Sequence, residues 1–438
     1  MLKKYLAVAS ILILPLGALA QKRPLSLDEA IAAGLDASPA LHASRMKVAS
    51  SEAKSREAAA SRLPSLKFGG GYTRLSEVPD FQVTLPVSPN PIVVSQSYFN
   101  NFNLRLGVQQ PLFTGFRLQA GADSARMLVN AADQDLEKDR AEFICAVKSA
   151  YWGLARAREI ETVVDENVRQ VQEHLKDVQA FFSQGLLTKN DVLRAELELS
   201  NAEIMRIDAR NAAEVALTVL DSLIGLPLVT DVDLTTSPES QASRIPADDG
   251  GPAADVPAGR PDLKAAEFRI KASELGLKAA RAGFYPQVFL SGNYYCLRPN
   301  PRILPSLDKF KGTWDLGISI SLDIWNWNQT KRQAEQAEAH LAQARDARKL
   351  LEDQAVLEVT QSRLGMGRAR DKVRVAGQAV GQAEENLRVV RERFKQGVAL
   401  NRDVLDAGVA LLQARLNRTQ AAIDLLLAQA RLERALGR

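Results

Sequence analysis

The side chains best suited to catalysis or metal binding are few in this chain of 438 residues. It holds three histidines, His42, His174 and His340, and two cysteines, Cys145 and Cys296. No two of the histidines have the short spacing that places two metal ligands on one helix face, and the cysteines are too far apart for a CxxC site. We therefore expect no catalytic, cofactor or metal site, and hence no enzyme. Each histidine is expected on a solvated helix surface.

The first residues of the chain have the features of a secretory signal. Lys3 and Lys4 precede an apolar run from Leu6 to Leu16, and small residues at Ala18 and Ala20 fit a cleavage site. We expect residues 1–20 to be removed, with no cysteine at the cleavage point to carry a lipid. The rest of the chain has no apolar run of about 18 residues, so any membrane crossing must be made by strands.

The overall charge argues against nucleic acid as a partner. The chain has 56 Lys and Arg residues against 52 Asp and Glu, a net charge of +4. A nucleic-acid-binding domain carries a stronger and more clustered excess of positive charge.

Self-comparison finds two copies of one plan in the mature sequence. Ser38-Pro39-Ala40-Leu41 matches Arg260-Pro261-Asp262-Leu263, and further pairs recur at similar offsets. We expect one repeat over residues 21–227, a linker over 228–259 that is rich in Pro, Ser, Asp and Gly, and a second repeat over 260–438. Each repeat is predicted to hold a helix, a β-hairpin and a long helical hairpin.

Two segments alternate apolar and polar residues for ten or more positions. They are Asn101 to Phe113 and Trp314 to Ile324, and the weaker strands Leu66–Leu75 and Val288–Tyr295 supply hairpin partners. This period of two is typical of transmembrane strands, although a half-buried soluble strand also alternates. Four strands cannot close a barrel, and an open edge is not tolerated in lipid. Three chains would supply about twelve strands, the smallest number that leaves an open channel.

The helical segments are unusually long. From Leu118 to Phe182 the helical pattern continues for about 65 residues, which would extend roughly 100 Å. Apolar residues recur there at spacings of four and three, a coiled-coil seam: Val164, Val168, Val171, Leu175, Val178 and Phe182 in the first repeat, and Ala376, Val380, Ala383, Leu387, Val390 and Phe394 in the second.

Each long helix is followed by a short break and a returning helix. Gly185 and Gly397 suit the left-handed position that ends a helix, so each break is predicted to be the tip of an antiparallel helical hairpin. Asp191 follows Thr188 at capping-box spacing, and Asp403 lies in the first turn of the second returning helix. A carboxylate stabilises a helix N-terminus at both places.

At these tips the sequence resembles the TolC-like outer-membrane efflux family. The likeness extends from the Leu-Ser-Leu-Asp-Glu-Ala start at Leu25, through Gln110-Pro111-Leu112-Phe113, to the Ile224-Gly225-Leu226-Pro227 close of the first repeat. The resemblance implies an α+β fold in which four transmembrane β-strands per chain form a twelve-stranded barrel in a homotrimer, continued by a long α-helical coiled-coil tunnel in the periplasm.

The resemblance also implies a function. The chain would be the outer-membrane exit duct of a tripartite efflux or type I secretion system. It would dock a periplasmic adaptor (membrane fusion) protein and receive substrates from an inner-membrane transporter of RND, ABC or MFS type. The outer membrane lipid would surround its strands, and its helices would extend into the periplasm.

Site residues follow from the same resemblance. Acidic residues after the second tip ring the tunnel entrance in the family, and the matching positions here are Asp403 and Asp406. They lie three apart on one helix face, although a cap alone also explains Asp403. The adaptor-docking tips correspond to two short segments: Gly185, Leu186, Leu187 and Thr188, and Gly397, Val398, Ala399 and Leu400.

The sequence departs from the family pattern at the latch that holds the entrance closed. Phe394 and Ala399 stand where a Tyr and an Arg are expected, so neither the hydroxyl bond nor the ion pair can form. Arg402, Lys189 or Arg194 could substitute.

Two other classes of function are compatible with parts of the pattern. A periplasmic coiled-coil adaptor would need a lipoyl-like β-domain beside one helical hairpin, and no region of short strands provides one. A secreted structural protein would explain the coiled-coil spacing. It would not explain four strands with faces compatible with lipid.

Overall fold

The structure is a computed structural model that describes residues 23–83, 86, 91–228, 230–242, 244–245 and 259–437. The expected signal segment, residues 1–20, lies outside the described residues. Within them the α-helices are α1 (Leu27–Ala37), α2 (Pro39–Ala60), α3 (Arg117–Ser183), α4 (Lys189–Ile224), α5 (Pro238–Ala242), α6 (Pro261–Arg281), α7 (Gln329–Lys395) and α8 (Asn401–Ala435). The strands are β1 (Arg23–Leu25), β2 (Ser65–Arg74), β3 (Phe81–Val83), β4 (Ile92–Ser95), β5 (Asn100–Thr114), β6 (Val232–Leu234), β7 (Gln287–Arg298) and β8 (Lys311–Ser321). None of the described helices is both long enough and apolar enough to cross a membrane.

The chain divides into two compact units, and each contains segments from both halves of the sequence. The helical unit comprises Met1–His42, Lys138–Pro257 and Gln354–Arg438. The sheet unit comprises Ala43–Glu137 and Ala258–Asp353. Helices α3 and α7 begin in the sheet unit and end in the helical unit, and each is 67 residues long.

The sheet unit contains the four predicted long strands in one antiparallel sheet of order β2-β5-β7-β8. The two predicted hairpins, β2 with β5 and β7 with β8, are confirmed, and β5 pairs with β7 to join them. The register places Phe68 opposite Leu106, Leu106 opposite Tyr294, and Tyr294 opposite Trp314. Since side chains alternate between faces, this register aligns the apolar residues of all four strands on one face.

That apolar face is exposed rather than packed against another element. Most of its large side chains are more than a third exposed, and this set comprises Leu66, Phe68, Tyr72, Leu104, Leu106, Val108, Tyr294, Trp314, Leu316, Ile318 and Ile320. The opposite face carries polar side chains such as Arg105, Asn293 and Asp315. The alternative of a half-buried soluble strand is thereby disfavoured, because the apolar face covers no core.

Two short elements were not expected from the sequence. Strands β3 and β4 pair with each other in the segment that we predicted as a Pro-rich loop. Strand β6 lies in the predicted linker and pairs in parallel with β1. Val232 of β6 is fully buried, so this part of the linker belongs to the core of the helical unit. Strands of three or four residues are too short to show a period in the sequence.

The core of the helical unit is built around two aromatic residues of α3. Tyr151 and Trp152 are 0% and 2% exposed and contact each other edge to face, with ring centroids 5.1 Å apart. The Tyr151 hydroxyl donates to the carbonyl of Leu25 at 3.0 Å and accepts from the N–H of Thr236 at 3.2 Å. This buried hydroxyl therefore both donates and accepts a hydrogen bond, and the two bonds hold β1 beside the segment that follows β6.

The predicted coiled-coil seams are present, with one exception. The seam residues Val164, Val168, Val171, Val178, Val380, Leu387 and Phe394 are all buried. Phe182 is 41% exposed, and its neighbour Phe181 packs against Phe394 instead, with ring centroids 5.5 Å apart. The prediction for Phe182 was wrong, because two adjacent phenylalanines end α3 and the contact with Phe394 selects between them.

Candidate functional site at the helical tips

Both helical hairpins turn at a glycine in the left-handed conformation. Gly185 has φ of +75°, and its N–H donates to the carbonyl of Phe182 at 2.9 Å. The N–H of Leu186 donates to the carbonyl of Phe181, also at 2.9 Å. This pair of bonds is a Schellman motif, which satisfies carbonyls that the end of a helix leaves free. Gly397, with φ of +74°, ends α7 with the same two bonds.

Helix α4 begins with a complete capping box. The Thr188 hydroxyl accepts from the N–H of Asp191 at 3.3 Å, and the Asp191 carboxylate accepts from the Thr188 N–H at 3.0 Å and from its hydroxyl at 2.6 Å. These bonds stabilise the charged carboxylate. They hold the pKa of Asp191 below its usual range, chiefly through the Thr188 hydroxyl and then through the Thr188 backbone, with Arg194 adding to the effect.

Helix α8 begins with half of that arrangement. The carboxylate of Asp403 accepts from the N–H of Leu400 at 3.1 Å, but the Leu400 side chain has no oxygen to accept from the Asp403 N–H as the Thr188 hydroxyl does for Asp191. Asp403 is partly exposed and Asp406, one turn further on, is exposed. In the described part of the chain no hydrogen bond or ion pair is made by the Asp406 carboxylate.

The two tips are held together by a shared apolar cluster. Its buried members come from all four helices of the two hairpins: Val178, Val192, Ala195, Leu387, Phe394, Val404, Ala407 and Leu411. Leu187 and Ala399 are partly buried against it. The cluster fixes the position of one tip relative to the other, because both sets of helix ends contribute to a single packed core.

The outermost tip residues are exposed. Leu186, Val398 and Leu400 are 67%, 64% and 64% exposed. Gly185, Thr188 and Gly397 are also exposed. Each tip thus presents apolar side chains to its surroundings while the neighbouring residue, Leu187 or Ala399, faces the cluster.

A buried polar link also joins the two hairpins. His174 and Asn401 are 5% and 2% exposed, and the Nε2 atom of His174 lies 2.8 Å from the Oδ1 atom of Asn401. The Asn401 amide donates to the backbone carbonyl of Asp191 at 3.0 Å. Because Nδ2 is the donor to Asp191, Oδ1 must accept, and Nε2 of His174 carries the proton. One asparagine of α8 therefore bridges α3 and α4.

An exposed ion-pair cluster lies further along the same helices. Arg415 of α8 contacts Glu166 of α3 and Glu384 of α7, each at 2.9 Å. The three side chains are 29% to 48% exposed, so each pair stabilises the fold by only about 0.2–1 kcal/mol. The Arg415 contacts therefore show that α8 lies beside α3 and α7, but they add little to the stability of the fold.

The residues at the expected latch positions face the protein interior. Phe394 is 4% exposed and contacts the His174 ring, with centroids 5.3 Å apart. Ala399 is partly buried against the same cluster. Arg402, Lys189 and Arg194 are exposed, so each is accessible for contacts outside the chain.

A family model described as "Outer membrane efflux protein" matches residues 31–226 and 255–438, which is most of the chain. The chain belongs to this family.

Its relatives among curated proteins include outer-membrane efflux and secretion proteins. The outer membrane efflux protein BepC of Brucella suis is 24% identical over 336 residues, which cover 76% of this chain and 72% of the relative. The alkaline protease secretion protein AprF of Pseudomonas aeruginosa is 24% identical over 346 residues, which cover 76% of this chain and 69% of the relative.

Solved structures of similar fold include an outer membrane protein and an outer membrane channel. VceC from Vibrio cholerae has a TM-score of 0.77 at 21% identity, and the similarity covers 94% of this chain and 96% of that one. The MtrE channel of Neisseria gonorrhoeae has a TM-score of 0.78 at 20% identity, covering 94% and 88%. The predicted α+β efflux-protein fold is therefore confirmed.

As an outer membrane efflux protein, the chain is located in the outer membrane and extends into the periplasm. The exposed apolar face of the sheet fits this location, because lipid-facing strand residues are apolar and lumen-facing residues are polar.

Sequence reasoning missed the polar link between the hairpins of this efflux protein. His174 was expected on a solvated surface and is buried, whereas His42 and His340 are exposed as predicted. The seam spacing does indicate that His174 is buried, because His174 lies three residues after Val171 and four before Val178. That spacing turns its side chain toward the seam. No local pattern identifies Asn401 as its partner.

Proposed function

We propose that this efflux-family chain forms the exit duct of a tripartite efflux or type I secretion system as a homotrimer. A periplasmic adaptor protein docks on its tips, and an inner-membrane transporter of RND, ABC or MFS type delivers the substrate. The substrate then passes through the duct to the outside. Movement along the duct requires no chemistry from the chain itself.

The observation that carries this proposal is the four-stranded sheet with two open edges. Among the described residues, β2 and β8 are each paired on one side only, and the apolar face of the sheet is exposed. In lipid, unpaired N–H and C=O groups along an edge cost several kcal/mol each. Pairing β8 of one copy with β2 of the next removes both edges when the ring closes. Three copies give the smallest ring with room for an aqueous lumen.

The names of the relatives favour both kinds of exit duct. One relative is named for efflux and another for secretion of an alkaline protease. Either kind of exit duct would use the assembly proposed above.

We propose roles for the tip residues in the same assembly. The exposed residues Leu186, Val398 and Leu400 dock the adaptor, together with Gly185, Leu187, Thr188, Gly397 and Ala399 of the same turns. Asp403 and Asp406 of three copies place up to six carboxylates around the entrance. Such a ring concentrates cations and excludes anions. Asp191 acts as a helix cap only, since its carboxylate is engaged by Thr188.

A coiled-coil adaptor or a secreted structural protein fits less well. Either would operate in water, where a contiguous exposed apolar face of this extent promotes aggregation. The strands of this chain present that face without covering it.

The assembly is tested by its mass and its stability in detergent. Protein extracted from the outer-membrane fraction should have the mass of three chains in native mass spectrometry. It should also migrate faster before boiling than after boiling in SDS gels, because a closed barrel resists SDS. A monomer that remains in the aqueous phase would overturn the proposal.

A further inference from the structure

The polar face of the sheet carries a fixed network of charged and amide side chains. The Arg105 guanidinium donates twice to the Asn293 Oδ1 atom, at 3.0 Å and 2.8 Å. The Asn293 amide donates to the Asp315 Oδ1 atom at 2.7 Å. These three residues lie on β5, β7 and β8, so the network crosses three neighbouring strands.

A second arginine reaches this network from the loop that joins β7 to β8. Arg302 donates to the Asp315 Oδ2 atom at 2.9 Å and to the Trp314 carbonyl at 3.1 Å. The loop is held by Asn300, which is 1% exposed and donates to the carbonyl of Lys311 at 3.0 Å. Asn300 also accepts from the Arg302 N–H at 3.0 Å, so the loop is folded onto the sheet by its own buried asparagine.

The strand opposite Asn293 leaves space for this arrangement. Gly107 pairs with Asn293 across the two strands. A Cβ atom at position 107 would lie 2.9 Å from the Asn293 Oδ1 atom and 3.7 Å from the Arg105 Nε atom. Any larger residue would displace the amide that holds Arg105. The Tyr295 ring supports both guanidinium groups, whose carbons each lie 5.5 Å from its centroid.

The charges in this network do not cancel. The Asp315 carboxylate is shared between Arg302 and a neutral amide. Arg105 is bound to the same neutral amide, which leaves its positive charge uncompensated. Two further cations, Lys67 and Lys311, share this face by the strand register. Arginine stays protonated in any environment of this kind, so the excess of positive charge is permanent.

We infer that the polar face of the sheet forms a positive belt that favours anionic solutes in the membrane part of the duct, with Arg105 and Arg302 as its specificity-determining residues. This inference rests on the proposed function, because the polar face lines a lumen only in the closed assembly. Its charge is opposite in sign to that of the proposed Asp403 and Asp406 ring. The duct would therefore favour cations at the helical tips and anions at the polar face of the sheet.

The test is the ratio of K⁺ to Cl⁻ permeability, measured from reversal potentials of the reconstituted full-length protein in a KCl gradient. At low ionic strength, where the Debye length is about 10 Å or more, Arg105→Gln should raise this ratio about twofold. Arg105→Gln combined with Arg302→Gln should raise it further. Asp315→Asn should lower the ratio, because it removes the negative charge of the network.

A charge-preserving variant separates selectivity from structure. Arg105→Lys keeps the positive charge but loses the forked contact with Asn293, so its permeability ratio should match that of the wild type even if its stability falls. A ratio unchanged by both Arg105→Gln and Asp315→Asn, or shifted in the same direction by both, would overturn the belt while leaving the channel intact. Absence of any conductance in the wild type would overturn the proposed function instead.

Discussion

The Nε2 atom of His174 lies 2.8 Å from the Oδ1 atom of Asn401, in a part of the helical unit where both side chains are almost fully buried. The two residues are 227 positions apart and belong to different halves of the sequence. Asn401 also binds the carbonyl of Asp191. A single amide therefore couples the two helical tips that the proposed function assigns to the entrance.

Replacing Asn401 with alanine should destabilise the tips. The Asn401→Ala variant leaves the His174 N–H buried without a partner and removes the side-chain bond to the Asp191 carbonyl, which together cost about 1–3 kcal/mol. We expect a lower midpoint in denaturant unfolding of the detergent-solubilised protein.

Asn417→Ala is the matched control, because Asn417 lies on the same helix but is exposed, and its side chain accepts a bond from Gln413 at 3.0 Å. Its effect should stay within about 0.5 kcal/mol. Equal effects of the two variants would show that the buried link contributes nothing specific.

Acidification should weaken the same contact. Burial lowers the pKa of His174 from its ordinary value of 6.5; the bond to Asn401 opposes this shift, Arg391 of α7 adds to it, and nearby Asp177 opposes it. As the pH falls, His174 of the unfolded chain takes up a proton near pH 6.5, whereas His174 of the folded chain takes it up only at a lower pH. The free energy of unfolding is therefore highest above pH 6.5. Below that pH it falls by up to about 1.4 kcal/mol per pH unit, until the pKa of His174 in the folded chain is reached.

The pH effect is measured as the difference in unfolding free energy between pH 7.5 and pH 5.5. His174→Gln keeps a polar side chain but cannot take up a proton, so the variant should lose much of this difference. An identical pH dependence in the variant would rule out His174 as its source.

A side chain at either turn glycine should destabilise the protein, even though the space around both glycines is open. A Cβ atom at Gly185 or Gly397 would meet nothing within 4 Å, so only the positive φ opposes substitution. Gly185→Ala and Gly397→Ala should each cost about 1–2 kcal/mol of unfolding free energy.

Gly365 is the control for these two substitutions. It lies inside α7 with equally open surroundings and no positive φ. Gly365→Ala should stabilise the protein by about 0.5–1 kcal/mol, since glycine is a poor helix former. If all three variants moved in the same direction, backbone conformation would not explain the tips.

The two faces of β8 should respond oppositely to a charge. Ile318 is on the apolar face and is 64% exposed, whereas its neighbour Ser319 is on the polar face. Ile318→Lys should cost about 2–4 kcal/mol of membrane insertion if it lies near the bilayer centre, and Ser319→Lys should cost little. The amounts of each variant in the outer-membrane fraction, compared at equal expression, measure this difference. Similar yields of both variants would mean that the apolar face does not contact lipid.

Much of the fold could be predicted because its signals are local. The alternation from Asn101 to Phe113, the capping box at Thr188 and the glycines at the tips each depend on neighbouring residues. Contacts between distant segments could not be predicted in the same way. The pairing of His174 with Asn401 brings together positions that no short period relates.

The charged network on the sheet was missed for a related reason. Arg302 belongs to a loop whose course depends on the buried Asn300, and no pattern in the sequence indicates that the loop folds back onto β8. Short strands such as β6 were missed because Val232 and Leu234 are too few to define an alternation, although both contact the helical core.

Conductance through the reconstituted protein shows whether this chain forms a duct. Wild-type protein in a planar bilayer should conduct ions as a trimer, and Asp403→Asn combined with Asp406→Asn should reduce cation preference while preserving conductance. Unchanged selectivity in the double variant would limit Asp403 to a helix cap and remove Asp406 from the entrance. A wild-type protein that stays soluble without detergent and never conducts would contradict the central claim that this chain forms an outer-membrane duct.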